Sequence, residues 1–79
     1  MHKRKVYVEV IIRVDEEGTN HPECITFEDG RKYFIDKISD VRRACAMSVG
    51  GTAMRYTVRI GSKMTYLFEE EGKWFVEAS

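Results

Sequence analysis

Residues 52–78 run TAMRYTVRIGSKMTYLFEEEGKWFVEA. Apolar side chains fall at Met54, Tyr56, Val58 and Ile60, with Arg55, Thr57 and Arg59 between them. Strict alternation at period two is the pattern of a strand with one face on a core and the other toward solvent or a partner. Gly61-Ser62-Lys63 and Glu70-Glu71-Gly72 interrupt it with turn residues, so the stretch predicts three antiparallel strands. Matching apolar faces gives three-residue connections: Ile60 opposite Met64, Val58 opposite Tyr66, Tyr56 opposite Phe68, then Phe68 opposite Trp74 and Tyr66 opposite Val76. Gly61 in first place also suits a two-residue turn. The face match is preferred, because a slip of one residue exposes a whole apolar set.

In that register Met54, Tyr56, Val58, Ile60, Tyr66, Phe68, Trp74 and Val76 face inward. Thr57, Leu67 and Phe75 then meet on the outside, flanked by Arg55 and Arg59. An exposed Leu67–Phe75 pair beside two arginines suits protein recognition, where aromatic and Arg side chains act as anchors. It suits equally the stacking of bases on Phe75 with phosphates held by Arg55 and Arg59. The third alternative is that the N-terminal strand or residues 39–49 fold over the patch and make it a second core.

Upstream, Val6, Val8, Val10, Ile12 and Val14 share one parity, and Tyr7, Glu9, Ile11 and Arg13 the other. β-branched residues at period two fit a pleated surface, so residues 6–14 form a strand, curved if it closes a small barrel. Residues 15–22 read as a solvated loop. Residues 24–28 form a short strand with Ile25 and Phe27 inward, and Asp29-Gly30 supplies a hairpin turn. Pairing Phe27 with Tyr33 and Ile25 with Ile35 predicts a three-residue connection, Asp29-Gly30-Arg31. Residues 39–51 are ambiguous. Ser39 can cap a short helix carrying Val41, Ala44 and Cys45 and ending at Gly50. Alternatively Arg42, Ala44 and Ala46 alternate with Arg43, Cys45 and Met47 in a strand that turns at Ser48-Val49-Gly50-Gly51. The strand is preferred because it continues an up-and-down meander. Six or seven short antiparallel strands with regular turns predict one small all-β domain over residues 1–79, an SH3-like or alternatively OB-like barrel. Closure removes edges that so small an open sheet cannot hide.

At 79 residues the chain buries only roughly 60–65% of its surface. Lys plus Arg and Asp plus Glu each number 13, so the net charge is zero and no global field recruits nucleic acid or membrane. The charges are segregated, however. Residues 15–29 hold six acids and no Lys or Arg, whereas residues 31–63 are basic through Arg31, Lys32, Lys37, Arg42, Arg43, Arg55, Arg59 and Lys63 against Asp36 and Asp40. Two cysteines, Cys24 and Cys45, do not make a disulfide framework. The apolar stretch at the N-terminus is cut by Glu9 and Arg13, which excludes a signal peptide or transmembrane helix. A cytoplasmic protein with free thiols is expected.

The runs Phe27-Glu28-Asp29-Gly30-Arg31-Lys32-Tyr33-Phe34-Ile35-Asp36, Arg55-Tyr56-Thr57-Val58-Arg59-Ile60, Tyr66-Leu67-Phe68 and Gly72-Lys73-Trp74-Phe75-Val76-Glu77 resemble small stand-alone bacterial proteins of the Firmicutes type, of unknown function. The likeness covers about residues 22–77 and rests on turn glycines and core aromatics. A remoter likeness is to short domains of unknown function, some encoded beside translesion DNA polymerases, with a Gly-Arg-x-Tyr hairpin and a terminal Trp-Phe. Neither resemblance implies a catalytic residue or cofactor.

Other chemistry is thinly supported. His21-x-x-Cys24, with Cys45 and His2, offers zinc-ligand types without the paired Cys-x-x-Cys knuckles usual for such sites. A Cys–His21 dyad lacks anything that lowers a thiol pKa, or a glycine loop for an oxyanion hole. Gly50-Gly51-Thr52 lacks the lysine and helix of a phosphate loop. No catalytic residue, metal site or cofactor is therefore expected. The expected function is a non-catalytic binding module. Nucleic acid is the preferred partner, through an Arg/aromatic face of Arg42, Arg43, Arg55, Arg59, Leu67 and Phe75. The alternative is a protein partner or a weak homodimer, joined through an edge strand or the Leu67–Phe75 patch.

Overall fold

A computed structural model describes residues 4–46 and 51–78. The described chain is all-β: β1 (Arg4–Tyr7), β2 (Glu9–Val14), β3 (Asn20–Thr26), β4 (Lys32–Phe34), β5 (Lys37–Ala46), β6 (Gly51–Ile60), β7 (Lys63–Glu70) and β8 (Lys73–Ala78). They form a five-stranded antiparallel sheet, β1-β8-β7-β6-β5, and a three-stranded one, β2-β3-β4. Residues 39–46 are strand, as the meander requires. The expected turn at Ser48, Val49 and Gly50 lies outside the described residues, as do Met47 and His2.

The two sheets share chain runs at both corners. β1 and β2 are separated by Val8 alone, whose N–H donates to the Trp74 carbonyl at 3.1 Å. β4 and β5 are separated by two residues: Ile35 donates to Glu23 O at 2.9 Å in one sheet, and Asp36 to Arg59 O at 2.8 Å in the other. The hydrogen-bonded ladder thus turns both corners and gives a small barrel-like fold, with six runs of chain making eight strand segments. Two bulges shape it. Glu23 is unmatched between the Ile11–Cys24 and Ile12–Pro22 pairs, and Ser39 is unmatched between Ile38–Val58 and Asp40–Thr57. A bulge bends a strand and raises its twist, and it also admits Pro22 to a ladder that a proline otherwise interrupts.

Between the sheets lie Ile25, Tyr56, Val58, Leu67 and Trp74, with Val8, Val10, Ile12, Phe27, Ile35, Ile38, Met54, Ile60 and Val76 packed against them. The alternation of the first strand is visible here: Val8, Val10 and Ile12 reach this core, whereas Tyr7 and Ile11 are exposed. Tyr56 stands 5.2 Å from Trp74 between ring centroids, and burial pushes its phenol pKa above the ordinary value, assisted by the charge of Glu69.

Three turns differ from the face-matched expectation. Ile60 pairs with Lys63, and Glu70 with Lys73, so both later turns have two residues, Gly61-Ser62 and Glu71-Gly72. Glu71 (φ 51°) and Gly72 (φ 81°) are both left-handed, as a type I′ hairpin requires, and Gly61 (φ 63°) takes the first position of its turn. Consequently Tyr56 faces Leu67, not Phe68, and Phe68 faces Phe75, not Trp74. Face matching fails because β7 carries apolar side chains on both parities, at Tyr66, Leu67 and Phe68. The pattern alone therefore selects no face, and turn geometry decides. In the β3–β4 hairpin the connection has the expected three residues but is Glu28-Asp29-Gly30, with Phe27 N–H donating to Arg31 O at 2.9 Å. Ile25 therefore opposes Tyr33 rather than Ile35. Asp29 Oδ1 accepts from Arg31 N–H at 3.0 Å and holds this turn. Phe27 and Tyr33 still meet diagonally, edge to face at 5.5 Å.

Glu71 holds a backbone region that costs a non-glycine residue about 1–2 kcal/mol, a cost that asparagine largely escapes. Glu71→Asn is expected to raise the unfolding free energy by about 0.5–1 kcal/mol in urea denaturation. A three-residue connection would give no such gain.

Candidate functional site

Opposed residues of an antiparallel pair share a face. Because Tyr56 and Val58 are interior, Arg55, Thr57 and Arg59 lie on the outer face of the five-stranded sheet. Across that face runs one row, Tyr7–Phe75–Phe68–Arg55–Arg42, each residue directly opposite the next. Beside it Tyr66 opposes Thr57, which opposes Asp40, and beyond that Met64 opposes Arg59, which opposes Lys37.

The expected Leu67–Phe75 patch does not exist. Leu67 is 0% exposed in the interior core, and Phe75, also 0% exposed, lies on the opposite face of the sheet. The two-residue turns invert the parity of β7 relative to both neighbours, and that separates them. Phe75 belongs instead to a second cluster with Ala53 and Phe68, so the side of the sheet expected to be a docking surface carries a small core of its own. Phe75 stacks on Phe68 at 5.2 Å and 10°, Tyr7 meets Phe75 edge-on at 6.2 Å, and the Lys5 ammonium stands 4.9 Å from the Phe75 ring centre. Lys5 also donates to the Tyr7 hydroxyl at 3.2 Å and pairs with Glu70 at 3.6 Å, so its pKa is raised, chiefly by the Tyr7 hydrogen bond.

Of the six residues singled out from sequence, Arg42, Arg55 and Arg59 do share the outer face, and Phe75 underlies it. Arg43 opposes Met54 and therefore points to the other side. Arg42 is held by Asp40, with Nε to Oδ2 at 2.7 Å. The Arg55 guanidinium lies 4.4 Å from the centre of the Tyr66 ring, and its Nε is buried without a hydrogen-bond partner among the described residues. Arg59 and Lys37 have no ion-pair partner among the described residues. Two cross-strand pairs on this face thus set cation against cation: Arg42 with Arg55, and Lys37 with Arg59.

Sequence reasoning missed Lys37, Tyr66 and Met64. Lys37 reaches Arg59 only through the Ser39 bulge, which no pattern marks. The apolar pattern puts Tyr66 inward and matches Met64 with inward Ile60, whereas both are about half exposed. A second apolar row, Ile11–Cys24–Phe34, crosses the outside of the three-stranded sheet, with Cys24 buried beneath exposed Ile11 and Phe34. Ile11 already stood in the solvent parity of its strand.

The thiols and His21 are dispersed. Cys24 is buried, Cys45 is exposed on β5, and the His21 ring lies 2.8 Å from Asp15 Oδ2, a contact that lowers the Asp15 pKa. Among the described residues no three His, Cys, Asp or Glu side chains lie close enough to hold a metal ion. Nor is any helix of the described residues long and apolar enough to cross a membrane. Comparison of the chain with family models, curated proteins and solved structures gives no match.

Because Phe75 is structural, Phe75→Ala is expected to lower the unfolding free energy by about 3–5 kcal/mol. Tyr66→Ala, at a half-exposed position, should cost under about 1.5 kcal/mol beyond the lost ring contacts. Paired urea melts measure both. Equal small losses would contradict the burial of Phe75.

Proposed function

We propose that the protein is a non-catalytic binding module of the bacterial cytoplasm that holds single-stranded nucleic acid across the outer face of β5, β6 and β7. The two like-charged cross-strand pairs, Lys37–Arg59 and Arg42–Arg55, carry this reading. Like charges directly opposite destabilise a sheet by amounts similar to what a favourable pair contributes, about 0.2–1 kcal/mol. A bridging phosphate reverses the sign of the Lys37–Arg59 pair, and at Arg42–Arg55 it adds to the neutralisation that Asp40 already gives Arg42. Along β6 the two pairs are four residues apart, about 13 Å, a span that a flexible sugar-phosphate backbone can follow. Between them Tyr66, half exposed and backed by Arg55, offers an aromatic edge beside the track, in keeping with the aromatic-plus-cation surfaces that bind single strands. The remote likeness to domains encoded beside translesion polymerases supports the same partner. Leu67 and Phe75, both buried and on opposite faces, offer no shared surface to a partner.

Anisotropy of a labelled oligothymidylate, titrated at several salt concentrations, tests the reading. Three cations without a carboxylate partner among the described residues, Lys37, Arg55 and Arg59, on phosphates give log K against log salt a slope of about −2, from about −0.7 per phosphate on a single strand. The Arg55→Ala, Arg59→Ala double variant should bind more weakly and flatten the slope by about 1.4. Lys37→Glu should weaken binding yet stabilise the fold by roughly 0.2–1 kcal/mol at low salt, because it turns a like-charged pair into an ion pair. Affinity that is indifferent to salt, or unchanged in both variants, would contradict the proposal.

A further inference from the structure

The outer edge of β5 has no strand partner among the described residues. β5 spans Lys37–Ala46 and bonds only to β6, so along the other edge alternate backbone N–H and C=O groups have no strand partner among the described residues. Such an edge is a template for another strand. We propose that it is the dimer interface of this protein, filled by β5 of a second copy in antiparallel pairing about a two-fold axis through Val41.

Symmetry, charge and an exposed apolar side chain together point to that register. Antiparallel neighbours place opposed residues on the same face, so a two-fold perpendicular to the sheet must pass through a single residue. An axis at Asp40 sets two carboxylates together, and an axis at Arg42 or Arg43 sets two guanidinium groups together. An axis at Val41 sets Val41 against its own copy and Asp40 against Arg42 of the second copy, twice, on the outer face. Val41 is 46% exposed, an apolar side chain at the centre of a free edge. Asp40 and Arg42 already pair within each chain at 2.7 Å, so association exchanges two exposed local pairs for two cross-strand ones at little electrostatic cost. Outward from the axis Ser39 opposes Arg43, and the Ser39 bulge limits how far the ladder extends. The interface is therefore short, and the dimer is weak and concentration-dependent. The axis keeps both outer faces on one side, so Arg42 and Arg55 of the two copies line one continuous surface. The dimer stands on the edge geometry alone and does not depend on what that surface binds.

Disulfide trapping locates the axis. Opposed residues have Cα atoms about 4.5–5.5 Å apart, within the range a disulfide spans. A Val41→Cys, Cys45→Ala protein, with Cys24 retained because it is buried, is expected to cross-link to dimer under mild copper-phenanthroline oxidation. In the same register native Cys45 lies four residues from the axis, about 26 Å from its own copy, so the wild-type chain should stay uncross-linked. Sedimentation of the wild type between roughly 10 μM and 1 mM should show a monomer–dimer equilibrium. Val41→Lys should weaken it by roughly tenfold or more, with its NMR spectrum confirming a folded chain. A wild type that is monomeric throughout would overturn the proposal, with β5 then an edge guarded by its arginines and bulge. So would a dimer that ignores Val41→Lys or cross-links through Cys45 instead, since the second copy would then dock elsewhere.

Discussion

The pairing of Tyr56 with Leu67 across β6 and β7 is the contact on which the rest of the molecule depends. It places Leu67, Tyr56 and Trp74 in one interior layer, and by the pleat it sends Tyr66 and Phe68 to the other side. Phe68 then meets Phe75, and Tyr7 joins them across β8. One register choice thus produces two cores, a large one between the sheets and a small aromatic one outside. It also brings Arg55 over the Tyr66 ring rather than over an exposed leucine. That register is enforced by two tight turns, whose left-handed residues leave no room for an extra residue in the loop.

So small a barrel-like fold needs strands that change sheets, and the chain does this where it can keep its backbone satisfied. At Val8 and at Ile35–Asp36 successive N–H groups find carbonyls in different sheets. The Glu23 bulge provides one of those carbonyls, and the Ser39 bulge re-aims β5 after the second corner. Beyond that corner β5 and β6 continue as a hairpin that the smaller sheet does not cover, which is why Val41 and Arg43 are exposed although their parity is that of core residues. The basic face and the free edge therefore have one origin, since both arise where the longest strands outrun the barrel.

Much of this was legible in the sequence. The alternation at residues 6–14 and 54–60 identified the strands and their buried faces, because each carries apolar residues on mainly one parity. The all-β class and the number of chain runs followed from turn spacing. The outer position of Arg55 and Arg59 followed from the same parity. What failed was register, and it failed where parity is uninformative. β7 is apolar on adjacent positions, so Leu67 and Phe75 were placed together when they lie on opposite faces. The Gly61 and Glu71-Gly72 turn residues held the missing information, which outweighs apolar matching when both faces of a strand pack against something. Bulges at Glu23 and Ser39 have no sequence signature beyond Pro22, and the Lys37–Arg59 pairing was hidden with them.

The register of β7 is open to direct observation. Backbone NOEs in labelled protein report which residues oppose one another across a ladder, because alternate opposed pairs approach to about 4.5 Å between Cα atoms. The fold described here requires contacts linking Tyr56 with Leu67, Phe68 with Phe75 and Glu69 with Trp74. Contacts linking Tyr56 with Phe68 and Phe68 with Trp74 would return Leu67 and Phe75 to a common outer face, and would remove both the second core and the Arg55–Tyr66 surface built upon it.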